Sequence, residues 1–418
     1  MPDRLSTYWI FNRPVQDMLG LQQQVNKTQE QISTGKRILT PADDPVGAAR
    51  VLQLNQEVAL MDQYERNINL LDARLEQEEG VLGAVEDNIA RVRELAVKAG
   101  NAGVLTEADR NAIAQEIRER LDELQDLMNS EDGSGEYLFA GFSGQTQPFV
   151  KSPGGGYQYQ GDEGVRSLQV SRNVNLASSD SGKDVFMDIK ADKTSFTAYG
   201  NPQNQGNPPG VISSGITVDQ EALDNFAPND AVITFENPLD VDPPEQNFTV
   251  RRKSDGRVIN GLENVAYQPG SPIQFGGMTV NIVGNPAPGD QFVVETSQKQ
   301  GVLTTYEKFL FALENYPPGT GFDEVYDETM ETTLNNIDNT IENVSQVRAR
   351  IGARLNTSES VANQHADNKL AAKEIKAEIE DLDFAGAVSR LQMQSFVLQA
   401  AQQSFAQTSR LSLFDFIS

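Results

Sequence analysis

Apolar residues near both ends of this chain recur at alternating steps of three and four, and this spacing constrains the fold more than any single motif. Met18, Leu21, Val25, Thr28, Ile32, Gly35 and Leu39 form such a row, the a/d seam of a helix that packs along another helix. Between them stand Gln22, Gln23, Gln24, Asn26, Lys27, Gln29 and Glu30, so only one narrow stripe can be buried and a helix over 12–39 is not a stable unit alone. A second row runs Tyr64, Ile68, Leu71, Leu75, Glu78, Leu82, Val85, Ile89, Val92 and Ala96, and predicts a helix from Pro45 to about Lys98. Towards the other end, Leu334, Ile337, Ile341, Val344, Arg348, Ile351, Leu355 and Ser358 repeat the pattern. So do Val388, Leu391, Ser395, Leu398, Gln402, Phe405 and Ser409, before an apolar tail of Leu411, Leu413, Phe414, Phe416 and Ile417.

Punctuation agrees with these rows. Asp44 suits an N-cap and Pro45 the first helical turn, where its missing N–H costs nothing. Thr106-Glu107-Ala108-Asp109 reads as a loose capping box opening a helix to about Asn129. From about 133 to 300 the composition shifts to Gly, Pro, Asn, Asp and short β-branched or aromatic runs. Strands are expected at 157–160, 167–170, 231–235, 247–253, 258–260, 278–283 and 291–295, with Asp255-Gly256 as a hairpin signal and Asn201–Gly210 as a linker. The expected fold is mixed, mainly α: long antiparallel coiled-coil-like helices from both chain ends, with an inserted β-rich outer domain. The division is 1–42 and 383–418 as two halves of a helical inner domain, 43–195 and 299–382 as two parts of a helical stalk, and 196–298 as the outer β domain.

The charge balance, 34 basic against 60 acidic residues for a net −26, repels phosphate backbones and argues against nucleic acid as a partner. Between Val174 and Val250, 12 acidic residues face 3 basic ones. The absence of cysteine excludes disulfides, thiolate metal sites and thiol nucleophiles. No run of about 18 apolar residues predicts membrane insertion, and the first residues do not read as a cleavable signal peptide. The single histidine, His365, sits in a polar helical stretch and is expected as a solvated surface residue. Gly154-Gly155-Gly156 lacks the Lys-Ser/Thr of a phosphate loop, and Gly141-Phe142-Ser143-Gly144 lacks the spacing of a nucleophile elbow. No catalytic residue, metal site or cofactor is expected; the sequence points to structure and assembly.

Several blocks carry a family resemblance. Gln31-Ile32-Ser33-Thr34-Gly35-Lys36-Arg37-Ile38 with Pro41-Ala42-Asp43-Asp44-Pro45-Val46-Gly47 resembles the N-terminal block of bacterial flagellin-type proteins. Arg91–Val97, Ala112–Ile117 and Ile351–Asn356 resemble their core helices. Within that superfamily the chain is more similar to the hook-associated proteins of the hook–filament junction: Arg4-Leu5-Ser6-Thr7, Pro45 after the Asp pair, and Tyr137-Leu138-Phe139-Ala140-Gly141 with Pro148-Phe149 match them. The tail Leu411–Phe416 departs from the usual flagellin ending. The resemblance implies export through the flagellar type III apparatus with a chaperone and without a cleavable signal, and an extracellular place in the flagellum. It also implies self-association in a ring and contacts with other hook-associated proteins and flagellin. Its alternative is the filament subunit itself. The assembly contacts expected are Met18, Leu21, Val25, Ile32, Leu391, Leu398, Phe405, Leu411, Phe414 and Phe416.

Overall fold

The computed structural model describes residues 7–101, 105–319 and 321–414, with side chains from 12 to 407 within those ranges. Seven helices are described: α1 (Thr7–Thr34), α2 (Pro45–Ala99), α3 (Glu107–Met128), α4 (Gln220–Phe226), α5 (Val302–Asn315), α6 (Asp323–Glu380) and α7 (Phe384–Phe414). Long helices at both ends and strands between them give the mixed, mainly α architecture that the seams imply. Two compact units form, one from the chain up to Arg66 and from Ser360 onward, the other from Asn67–Glu359.

In the second unit the seams become the helical core. All ten positions from Tyr64 to Ala96 in the α2 row are buried, although Tyr64 itself belongs to the first unit. From α6, Ile337, Val344 and Ile351 are fully buried. Ile117, Leu121 and Leu124 of α3 and Tyr306 and Phe309 of α5 are buried too, and α3 packs on α5. The capping box at α3 is present as expected, with Thr106 Oγ1 accepting from the Asp109 N–H and the Asp109 carboxylate accepting from the Thr106 N–H. The Tyr306 hydroxyl donates to Asn88 Oδ1 at 3.1 Å and the Tyr326 hydroxyl to the Ala99 carbonyl at 2.9 Å. Two buried polar groups thus have partners, which burial demands.

The strands are β1 (Phe149–Lys151), β2 (Tyr157–Tyr159), β3 (Ser167–Ser171), β4 (Val174–Ala177), β5 (Lys190–Gly200), β6 (Val211–Ile212), β7 (Ile216–Thr217), β8 (Ala231–Phe235), β9 (Asn247–Arg252), β10 (Val265–Ala266), β11 (Pro272–Phe275), β12 (Met278–Val283) and β13 (Gln291–Lys299). One antiparallel sheet has the order β10-β9-β8-β13-β5; another is β11-β12-β6, with β7 also on β12. They share one core containing Phe235, Phe248 and Phe292 from the first sheet and Phe275, Val280 and Ile282 from the second. Alternation sets the faces: Ala231, Ile233 and Phe235 of β8 are buried while Val232 and Thr234 are half-exposed.

Three expectations need correction here. Residues 258–260 form no strand: Val258 makes a single bridge to Arg251, while β9 takes β8 and β10 as its partners. Asn201–Gly210 is not a loose linker. The Asp290 carboxylate accepts from the Gln205 and Gly206 N–H groups at 2.7 and 3.0 Å, and Asn204 bonds Gln291 in both directions. The helix expected over 12–39 stops at Thr34, because Gly35 takes φ +71° and ends it.

One buried charge lies where α5 meets β5. The Lys308 ammonium donates to Ser195 Oγ at 2.7 Å and Gln300 Oε1 at 3.2 Å, and lies 4.1 Å from the Phe196 ring centroid. Burial pushes its pKa down to about 7. The unfolded chain therefore binds more protons between about pH 7 and 10.5, and stability rises with pH through that window. Lys308→Met is expected to raise stability at pH 7 by about 1–2 kcal/mol, because it removes the desolvated charge but forfeits its hydrogen bonds. Urea denaturation at pH 7 and pH 10 checks this; an equal or lower midpoint for the variant at pH 7 would contradict it.

Candidate assembly surface

The end helices meet in the first unit. Thr28 Oγ1 of α1 donates to Gln394 Oε1 of α7 at 2.8 Å, and Gly35, just past α1, faces the Phe384 ring at the start of α7. Position 28 therefore lies against 394 and 35 against 384, so the two helices run antiparallel. Along α1, Met18, Leu21, Val25 and Ile32 are half-buried, and Thr28 is buried. Along α7, Leu391 and Phe405 are half-buried and Leu398 is buried. Phe416 lies outside the described residues, as do the side chains of Leu411 and Phe414.

The second row of the α7 seam differs from expectation. Val388 and Gln402 are exposed, whereas Ala387, Gln394 and Ala401 turn inward. A small residue at 387 and 401 lets the backbones approach, and the amide at 394 satisfies Thr28. Hydrophobicity alone selects Val388 over its smaller neighbour Ala387, so the periodicity points one residue away from the inward row.

A hydrogen-bonded clasp closes one end of the α1–α7 pair. The Arg37 N–H donates to the Glu380 carbonyl at 2.7 Å and the Leu382 N–H to the Gly35 carbonyl at 2.9 Å. The Arg37 guanidinium adds two bonds to the Ile379 carbonyl, at 2.8 and 3.2 Å, and reaches Asp44. Asp43 accepts from the Lys27 ammonium and from the N–H groups of Thr40 and Leu39. The Lys27 bond, followed by that from Thr40, holds its carboxyl down to about 2. The Gly47 N–H donates to Asp44 at 2.9 Å, the expected N-cap of α2; this bond first and Arg37 second hold the Asp44 carboxyl below its usual range. A Cβ on Gly47 would stand 2.6 Å from that carboxylate and 2.8 Å from Ile38 Cδ1. Residues 31–47, singled out by resemblance, thus build a turn in which the polar side chains of Gln31, Thr34, Lys36, Arg37, Asp43 and Asp44 all have partners.

Gly35→Ala is expected to cost about 1–2 kcal/mol, because an L side chain is strained in the left-handed conformation, and Gly35→Asn less. Chemical denaturation of the full chain checks the order. Equal midpoints for Gly and Ala would remove backbone strain from the account.

His365 is half-buried and stacks on Tyr64, with ring centroids 5.4 Å apart and planes 19° from parallel. The expected solvated histidine is corrected by the buried seam tyrosine beside it. Among the described residues, no three His, Cys, Asp or Glu side chains cluster to hold a metal ion, and no helix is long and apolar enough to cross a membrane.

Comparison with known proteins matches these helices directly. Residues 6–143 match the bacterial flagellin N-terminal helical region and residues 334–417 the bacterial flagellin C-terminal helical region, together just over half of the chain. The chain belongs to the flagellin superfamily. Within it, this flagellin-type chain is 33% identical over 186 residues to flagellar hook-associated protein 3 of Salmonella typhimurium, covering 44% of this chain and 57% of that protein. It therefore spans little more than half the length of this curated relative. The crystal structure of flagellar hook associated protein-3 from Legionella pneumophila aligns with a TM-score of 0.51 at 28% identity, over 79% of this chain and 99% of that one. FlgL from Xanthomonas campestris aligns with a TM-score of 0.50 at 26% identity, over 78% and 99%.

Proposed function

We propose that this chain is a non-enzymatic structural subunit of the bacterial flagellum that joins hook to filament. The observation that carries the reading is the antiparallel pairing of α1 with α7, whose seams leave most of their predicted contact residues only half covered. A pair that buries one stripe gains its remaining stability by packing against neighbours, as segments that fold on association do. The names of the hook-associated relatives support the junction over the filament as the place of assembly.

In this reading the halves 1–42 and 383–418 make the inner, ring-forming part, and Met18, Leu21, Val25, Ile32, Leu391, Leu398, Phe405, Leu411, Phe414 and Phe416 contribute its contacts. The stretches 43–195 and 299–382 make the stalk, and 196–298 the anionic outer domain. The subunit leaves the cell unfolded through the type III apparatus, escorted by a chaperone, and meets other hook-associated proteins below and flagellin above. A chain without cysteine suits that route, since no disulfide can lock it before passage.

The test is electron microscopy of cells lacking the gene, with flagellin assayed in the medium. Bare hooks with flagellin shed outside are expected. Bare hooks with no flagellin anywhere would make this chain the filament subunit instead, and intact filaments would overturn the junction role.

A further inference from the structure

Resting on the ring reading above, we infer that copies of this chain associate by seating the outer stripe of α7 from one copy in an apolar groove on the first unit of the next. The groove, about 460 Å³, lies between the turn after α1 and the first turns of α2. Ile38, Leu39, Pro41, Pro45 and Leu52 line it, with Glu380, whose charge is paired with Lys36, at its side. Leu52 is 59% exposed, so the side of the groove is open to an incoming apolar side chain. On α7, away from the face that meets α1, stand Met393 at 65% exposure, Phe396 at 68%, Val397 and Ala400. Their spacing is i, i+3, i+4, i+7, the anchor pattern with which a helix enters an apolar groove.

Charge identifies the occupant. Two copies carrying −26 each repel one another over most of their surfaces. From Leu391 to Ser409 the chain has nineteen consecutive residues without a charge, so α7 is where an equally acidic copy approaches with least penalty. Ridge and groove are different patches of one unit, so the contact is head-to-tail. Such contacts propagate around an axis and close into rings when the rotation allows, whereas a self-complementary patch stops at a dimer.

The absence of native cysteine makes the test clean. Cells would express Leu52→Cys copies together with Phe396→Cys copies, and sheared hook–filament junctions would be oxidised. A covalent dimer of this chain is expected in the mixture and in neither single-variant strain. Dimers in the Phe396→Cys strain alone, cross-links only to another flagellar protein, or no cross-link in junctions that form normally would each overturn the pairing while leaving the junction role intact. If a cysteine variant does not enter the junction, Leu52→Arg and Phe396→Asp decide. Each alone is expected to block incorporation, and both in one chain to restore attached filaments, since every interface then holds one new opposite-charge pair. Normal incorporation of either single variant, or no restoration by the double, overturns the proposal. Intact filaments in cells without the gene would instead sink the ring reading on which it rests.

Discussion

Cells expressing Leu398→Asp are expected to carry bare hooks and to shed flagellin, while the second unit, Asn67–Glu359, of the purified variant stays folded and resists protease. Leu398 is the most covered of the described contact candidates on α7, at 9% exposure. A carboxylate there finds no cation on its own helix, because the stretch from 391 to 409 is uncharged. The lost apolar contact together with the desolvated charge costs about 3 kcal/mol or more, enough to separate two helices joined by one stripe. Fractionating sheared junctions and digesting the soluble chain tests both halves of the expectation. Normal incorporation would remove this seam from the account of assembly, and loss of the resistant middle would mean that the residue supports more than the helix pair.

Glu78→Gln is expected to stabilise the chain by about 3 kcal/mol at pH 7. Glu78 occupies a seam position of α2 and is 1% exposed. One of its oxygens accepts from the Asp180 N–H at 3.2 Å. Asp180 in turn holds Arg354 through two bonds, at 2.7 and 3.0 Å. Burial first, and then the Asp180 carboxylate, pushes the Glu78 pKa up to about 8. The folded chain therefore holds a proton that the unfolded chain releases between about pH 4.5 and 8, and stability falls as pH rises through that window. Over the stretch up to pH 7 this amounts to about 3 kcal/mol. Glutamine keeps the acceptor without the ionisable proton, so its gain is expected to be near zero at pH 4.5 and to grow towards pH 8. Denaturation midpoints for both chains across that range measure it. A difference independent of pH would show that Glu78 is not the group titrating.

Both sites bear on what the sequence could disclose. The α2 seam was legible throughout, Glu78 included, because a helix that buries one stripe prints its period on the chain. The Thr106–Asp109 box and the strands at 231–235 and 278–283 were legible for the same reason: each is set by residues close in sequence. The eleven-residue β5 was not. Its buried positions include Ala191, Ser195 and Ala198, so small residues stand where alternation would normally display large apolar ones. The inward row of α7 was hidden in the same way by Ala387 and Ala401. The clasp left a different trace. Hydrogen bonds between residues more than 300 positions apart have no periodicity, and only family resemblance marked residues 31–47 as one block. Lys308 gave no signal at all, since nothing near it in sequence marks a lysine as enclosed.

The clasp also has a mechanical meaning. Beyond Gly35 the chain reverses beside Leu382, where two backbone hydrogen bonds pair Lys36 with Asp381 and join the two stretches of chain. Tension drawing α1 and α7 lengthwise past each other loads these bonds together with the Arg37 guanidinium, in shear, so that none can fail alone. Tension peeling α7 outward from its far end instead meets the seam one side chain at a time and reaches the clasp last. The pair is thus strong along its axis and weak across it.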